Sequence, residues 1–286
     1  MSPLPDGATP HPWSQEFAWQ LPPEPPRTLT AAQKAAFDTD GFVVLTDVLD
    51  PASLADLTAE LDGLEAKVDR FLAGQEGERV HIAEAGAITF TVHAVLRSAA
   101  ARAFAYHPTL VGLCADLLGP DANLYWDQAV YKKPEKPRRF PWHQDTGYTF
   151  VEPQHYLTCW VALTDATLDN GCPWILPGGH RTGSLLHRWV DPIGWECFPD
   201  AAGAVAAEIP AGGLVAFSSL TPHQTGPNTT EAVRKAYIVQ YATDGIEVVD
   251  GDWIHGGAPT GTTPCTDPDR QFPVLRDGVA VGATTA

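Results

Sequence analysis

Cationic residues are scarce in this chain. Lysine and arginine number 18 against 35 acidic residues, giving a formal net charge of −17 and a pI near 4.8. A field of that sign repels phosphate backbones and anionic lipid, so neither nucleic acid nor a membrane surface is an expected partner. Paired cysteines are also missing. The five cysteines (Cys114, Cys159, Cys172, Cys197 and Cys265) form no CxxC and are odd in number. A zinc ribbon or a disulfide framework is therefore not expected, and a reducing, cytoplasmic setting is. No apolar run approaches the roughly 18 residues of a membrane span. The opening "MSPLPDGATPHPW" has no basic patch ahead of an apolar core, so a secretory signal is not expected.

What remains is a chain of 286 residues, 44% of them hydrophobic, enough for one sizeable core. Residues 1–28 are proline-rich and aperiodic and read as an extended arm, disordered or draped on the surface. In "TLTAAQKAAFDTDG", Thr30 can cap a helix that Gly41 ends. A strand "FVVLTDVL" follows. Asp50 and Pro51 then open a long amphipathic helix carrying Leu54, Leu57, Leu61 and Leu64 at helical spacing. "SAAARAFAYHPTLVGLCADLLG" reads as helix interrupted at Pro108. After Gly119 short β-rich runs alternate with Gly, Pro, Asn and Asp, which indicates a sandwich or barrel with helices packed outside it. The expectation is one mainly β domain over 29–286, with its core about 120–242 and a partly ordered tail over 243–286.

The chemistry gathers at "FPWHQDTGY". Residues i and i+2 of a strand share a face, so His143 and Asp145 can point together into a barrel while Gln144 faces away. The pair reads as part of a metal site or as a polar strand edge, and HxD alone does not decide. Among ten histidines His223 has the best setting for a third ligand, since it follows the buried run "GGLVAFSSLTP" and precedes another strand. In "RKAYIVQYA" the residues Arg234, Ala236, Ile238 and Gln240 share one face. A guanidinium among apolar neighbours needs a partner, and a bound dicarboxylate would supply one. Two histidines and one carboxylate leave open positions on a metal, a pattern that suits non-haem Fe(II) with a co-substrate such as 2-oxoglutarate and with O2. Lys132, Lys133, Lys136, Arg138 and Arg139 just upstream read as a solvated loop or as a basic rim that attracts an anion.

"WHQD" at 142–145, "DNGCPWILPGGH" at 169–180 and "HQTGPNTTEAVRKAY" at 223–237 resemble the phytanoyl-CoA dioxygenase family of iron- and 2-oxoglutarate-dependent oxygenases, as does "LTAAQKAAFDTDGFVVLTDVL". The resemblance spans about residues 29 to 242, with Gly179 where the family usually has serine. It implies a double-stranded β-helix (a jelly roll, cupin-like). It also implies that His143, Asp145 and His223 are iron ligands and that Arg234 binds the 2-oxoglutarate tail with help from Thr225. Trp160 would line the co-substrate pocket, Gln128 would reach it from a neighbouring strand, and His93 lies where the family often supplies a pocket residue, although core packing also accounts for it. A carboxylate at Asp145 fills the position that halogenating relatives leave for chloride, which implies oxygen chemistry. The expected reaction is oxidation, most simply hydroxylation, of an unactivated C–H bond of a small metabolite of secondary metabolism, with release of succinate and CO2, by a monomer or homodimer. Trp189, Trp195 and Phe198 could close over the substrate as an apolar lid or merely hold a surface loop. Two other readings use the same residues: a cupin-like metal-dependent isomerase or hydrolase, and a non-catalytic binding protein on this scaffold.

Overall fold

Local chemistry sets the helix ends. In the computed structural model, which describes residues 4–14 and 19–282, Thr30 and Gln33 form a reciprocal capping box at the start of Ala31–Asp40. Gly41 closes that helix in the left-handed conformation. The Asp50 side chain accepts from the Ala52 and Ser53 amides at the start of Pro51–Ala73, with Pro51 in the first turn. The third helical stretch is divided as its proline requires, into Ala99–Phe104 and Pro108–Leu117.

The strands build a jelly roll. The larger sheet has ten strands and runs in the order Phe42–Leu45, Leu214–Ser218, Leu157–Ala162, Arg234–Thr243, Ala122–Lys132, Ile88–Val92 through its centre. The smaller sheet faces it with four strands, in the order Val205–Ala206, Pro173–Ile175, His223–Thr225, Phe140–His143. Pairing in both sheets is antiparallel.

Alternation along Arg234–Thr243 shows how the layers arise. Tyr237, Val239 and Tyr241 point to the helices, where they pack with Leu57, Leu61 and Leu110. Ala236 and Ile238 point the other way, into a second cluster with Trp160, Ile175 and Phe217 between the sheets. The inward face of this one strand thereby enters the space enclosed by both sheets, and Arg234 and Gln240 go with it.

One expectation needs correction. Residues 243–282 are not an unpatterned tail. Glu247–Gly251 pairs with Pro259–Pro264 and with Val151–Glu152, while Pro273–Arg276 adds to the edge of Ala122–Lys132. The pairing leaves no mark in the sequence, because Pro259–Pro264 is exposed along its whole length and built of proline, glycine and threonine. The described part of the N-terminal arm lies on the protein: His11 is buried against Phe150, and the Asp116 carboxylate collects the backbone amides of Arg27, Thr28 and Leu29 at 2.6, 2.9 and 2.8 Å. Residues 1–3 and 15–18 of that arm, and 283–286 of the tail, fall outside the described residues.

Candidate metal and co-substrate site

His143 and His223 are directly opposed across the ladder joining Phe140–His143 to His223–Thr225, with ring centroids 4.1 Å apart. Each ring donates Nδ1–H to the carbonyl two residues back, His143 to Pro141 at 2.9 Å and His223 to Thr221 at 3.0 Å. That fixes the tautomer and leaves both Nε2 lone pairs facing inward. Burial also depresses the His143 pKa, which favours the neutral form a ligand must have.

Asp145 is not on the strand. The strand ends at His143, and Asp145 opens a short 3-10 turn, Asp145–Gly147. The carboxylate still converges with the imidazoles, its Oδ1 lying 3.7 Å from Nε2 of each. The other oxygen, Oδ2, accepts from Thr158 Oγ1 at 2.5 Å and Gln240 Nε2 at 3.0 Å. Gln144 does face away from the cavity, as expected, but into protein rather than solvent. Its amide donates to the carbonyls of Gly183 and Leu220 and accepts from Leu185 N–H. Its own backbone N–H donates to Nε2 of buried His187 at 2.9 Å. The turn between two of the three inward-facing groups is thus clamped from both sides.

Ligand atoms of His143, Asp145 and His223 all lie within 4.8 Å of one another. Donors bound at about 2.1 Å to one ion stand roughly 3 Å apart when adjacent, so a small contraction of this set closes on a cation. The three groups occupy one side of that point, and a cavity of about 460 Å³ opens on the other.

Arg234 lines the same cavity. It is 1% exposed, and its Nε and Nη1 have no hydrogen-bond partner among the described residues. Its guanidinium stacks over the Trp160 ring at 5.0 Å, the cross-strand neighbourhood that the pair Ile238–Trp160 dictates. Burial lowers its pKa to about 9, which still leaves it charged at neutral pH. Thr225, Trp160 and Gln128 line the cavity with it. Lys132, cross-strand from Arg234, is buried as well. Its ammonium donates to the carbonyls of Arg138 (2.9 Å), Thr225 (3.1 Å) and Gly226, which pins the end of the strand carrying His223 and Thr225.

The motif "DNGCPWILPGGH" serves the same strand from its other edge. Gly171 sits at φ +84°, and a Cβ there would come within 2.3 Å of the Gly226 oxygen. At Gly179 a Cβ would stand 2.5 Å from Pro222 Cδ, one residue before His223, so the absence of a side chain is required here. Backbone bonds from Leu176 to Pro222 and from Gly178 to Asp40 complete the seam.

Three of the functional readings do not hold. His93 does not line the cavity. It packs edge-on against Trp126, which does, and its Nδ1 has no partner. The basic run is a partly exposed loop with its charges paired, not a free rim. Lys133 bridges Glu65 and Asp69, Lys136 and Arg138 meet Glu84, and Arg139 meets Glu196, so these four charges are paired with acids distant in sequence, while Lys132 meets backbone carbonyls. Trp189 packs edge-on against Trp195, which packs edge-on against Trp253, Phe198 is buried against Trp142, and none of the three forms the cavity wall. Conversely the linear pattern assigns Thr158 and His187 no role, and Lys132 and Gln240 none beyond the basic run and a strand face. The two-residue period did place Gln240 on the inward face, but a polar side chain there carries no signal of what it touches.

A jelly roll holding two imidazoles and a carboxylate on one side of an open cavity defines a class, that of facial-triad metal proteins. The comparison with known families agrees: the model of phytanoyl-CoA dioxygenase (PhyH) matches residues 37–236, and the chain belongs to that family. The phytanoyl-CoA dioxygenase of Arabidopsis thaliana is 30% identical over 132 residues, 44% of this chain and 46% of the relative. The chain thus spans about half the length of the curated relatives it matches. Among solved structures, the non-heme monooxygenase ThoJ superposes with a TM-score of 0.63 at 27% identity, covering 82% of this chain and 84% of that one. The epimerase SnoN, solved with Fe3+, alpha ketoglutarate and nogalamycin RO, has a TM-score of 0.65 at 23% identity over 84% and 96% of the two chains, a likeness of fold. Iron and 2-oxoglutarate are the cofactors of this family, and the inward-facing Nε2 pair, the single free carboxylate oxygen and the unpaired guanidinium fit both groups.

Proposed function

We propose that this protein is a non-haem Fe(II)/2-oxoglutarate-dependent dioxygenase that hydroxylates an unactivated C–H bond of a small, largely apolar metabolite, with release of succinate and CO2. One observation carries the reading. A buried arginine without an acidic partner opens into the same cavity as a three-ligand metal cluster. An isomerase or hydrolase on this metal would leave that charge buried and uncompensated, a cost of several kcal/mol.

His143, Asp145 and His223 hold the iron, each through one atom. Arg234 would take the far carboxylate of 2-oxoglutarate, with Thr225 in the same cavity and the Trp160 ring under the guanidinium. Gln128 offers an amide to the same space. The bound metal and co-substrate supply the oxidising power that side chains lack. The chain's own contribution is position and dryness. Ile88, Phe90, Val92, Phe140 and Tyr148 wall the cavity beyond the ligands, and none of these side chains is charged. The part of the substrate that reaches the metal is therefore uncharged, which disfavours the phosphate-rich end of an acyl-CoA there. Aromatic walls also hold a C–H bond close without offering it a hydrogen bond.

The test is turnover of purified protein with Fe(II), ascorbate, 2-oxoglutarate and O2 against a panel of neutral metabolites. Succinate should form in a 1:1 ratio with a product heavier by one oxygen. Succinate release that does not depend on Fe(II), or a product unchanged in oxidation level, would overturn the reading.

A further inference from the structure

We infer that Thr158 and Gln240 are positioning residues that hold Asp145 to one-oxygen ligation of the metal, an inference that rests on the function proposed above. The two are a directly opposed pair on neighbouring strands of the larger sheet, both inward-facing and buried at 1% and 6% exposure. The directions of their hydrogen bonds follow from chemistry alone. An ionised carboxylate only accepts, so Thr158 must spend its single proton on Asp145 Oδ2, at 2.5 Å. The hydroxyl oxygen is then free to accept, and Gln240 Nε2 lies 3.1 Å from it. The same nitrogen lies 3.0 Å from Oδ2, and since the two acceptors are only 2.5 Å apart they share one amide proton, so only the nitrogen end of Gln240 fits. Three groups on three segments thus close a ring of hydrogen bonds that converges on Oδ2.

The ring divides the carboxylate. Oδ2 receives two donors, while Oδ1 receives none and faces both imidazole Nε2 atoms at 3.7 Å. With Oδ2 engaged, the carboxylate offers one atom to a cation and its plane is fixed. Without the ring, Asp145 could rotate or present both oxygens, and the second would take up a position that the co-substrate or O2 requires. The ring also ties the two ends of the site together. The strand Leu157–Ala162 carries both Thr158 and Trp160, and Arg234–Thr243 carries both Gln240 and Arg234. One pair of hydrogen-bonded strands therefore sets the metal carboxylate and the co-substrate clamp in a common frame.

The experiment is anaerobic Fe(II) titration of wild type, Thr158→Val, Thr158→Ser and Gln240→Met, with Asp145→Ala as the ligand-deletion control. The visible absorption of the Co(II)-loaded proteins and the thermal melting of the metal-free proteins accompany it. Thr158→Val and Gln240→Met should each lose roughly 10- to 100-fold in Fe(II) affinity and shift the Co(II) absorption. Thr158→Ser, which keeps the donor, should recover most of the affinity. Melting of the metal-free variants should stay near wild type, which separates positioning from misfolding. Wild-type affinity and an unchanged Co(II) spectrum in both donor-deleting variants would overturn the inference while leaving the proposed function standing. A wild-type protein that binds Fe(II) no better than Asp145→Ala would remove the ligand assignment itself, and the positioning role with it.

Discussion

The guanidinium of Arg234 is buried with two donor nitrogens unmatched among the described residues. A buried charge of this kind destabilises the fold until something pairs with it. Two outcomes follow for this residue. Arg234→Met should melt at or above the wild-type temperature in the absence of ligand, because an apolar side chain of similar length suits the pocket between Trp160 and Ala236. Adding 2-oxoglutarate should raise the melting temperature of wild type, by the equivalent of about 2.7 kcal/mol at a hundredfold excess over Kd, and leave Arg234→Met unmoved. Differential scanning fluorimetry reads both. For the ligands, His143→Ala and Asp145→Ala should each abolish Fe(II)-dependent succinate formation while the chain still folds, since these side chains meet one another and the cavity rather than the core. Activity at the wild-type level in either variant would refute their assignment.

At the scale of elements, the strand His223–Thr225 is held on every side. It pairs with Phe140–His143 and Pro173–Ile175, Lys132 gathers its last carbonyls, and the turn at Gly171 lies against Gly226. The clash a Cβ would make at Gly171 is with a backbone oxygen, which cannot swing aside, and the positive φ adds strain. Gly171→Ala should therefore cost more than about 1 kcal/mol of stability, measured by urea unfolding, and should weaken 2-oxoglutarate binding through displacement of Thr225. On the other side of the larger sheet, Leu61 is fully buried between the long helix and the strands. Leu61→Ala should cost about 2–5 kcal/mol with little change in the Km for 2-oxoglutarate, since that core does not touch the cavity. The contrast between the two variants separates the layer that stabilises the molecule from the seam that shapes the site.

For the whole molecule, acid is the condition that tests burial. His180 and His187 are 0% and 7% exposed, and burial lowers each pKa to about 4. In the unfolded chain both titrate near 6.5. Above that value neither state binds the proton and their neutral form stabilises the fold fully. As pH falls from about 6.5 towards 4 the unfolded chain takes up protons first, and stability drops. The urea midpoint should therefore fall steeply over that range, and His180→Gln or His187→Gln should flatten the slope. Among the described residues no helix is long and apolar enough to cross a membrane.

The chain's linear pattern already contained the helix caps at Thr30 and Asp50, the break at Pro108, the jelly-roll class and the four polar residues His143, Asp145, His223 and Arg234. These are legible because a cap, a proline or a two-residue period acts on neighbours within one element, and because the family's motifs surround the four. The later strands were not legible, since Pro259–Pro264 is built of residues with no apolar alternation. Nor were the partners of the basic run, Glu65, Glu84 and Glu196, which arrive from 50 or more residues away. Only the folded sheet decided that Thr158 and Gln240 meet Asp145, that Lys132 spends its charge on carbonyls, and that His93 stays behind Trp126. Such contacts depend on strand order and register, which bring together residues whose spacing along the chain carries no trace of the meeting.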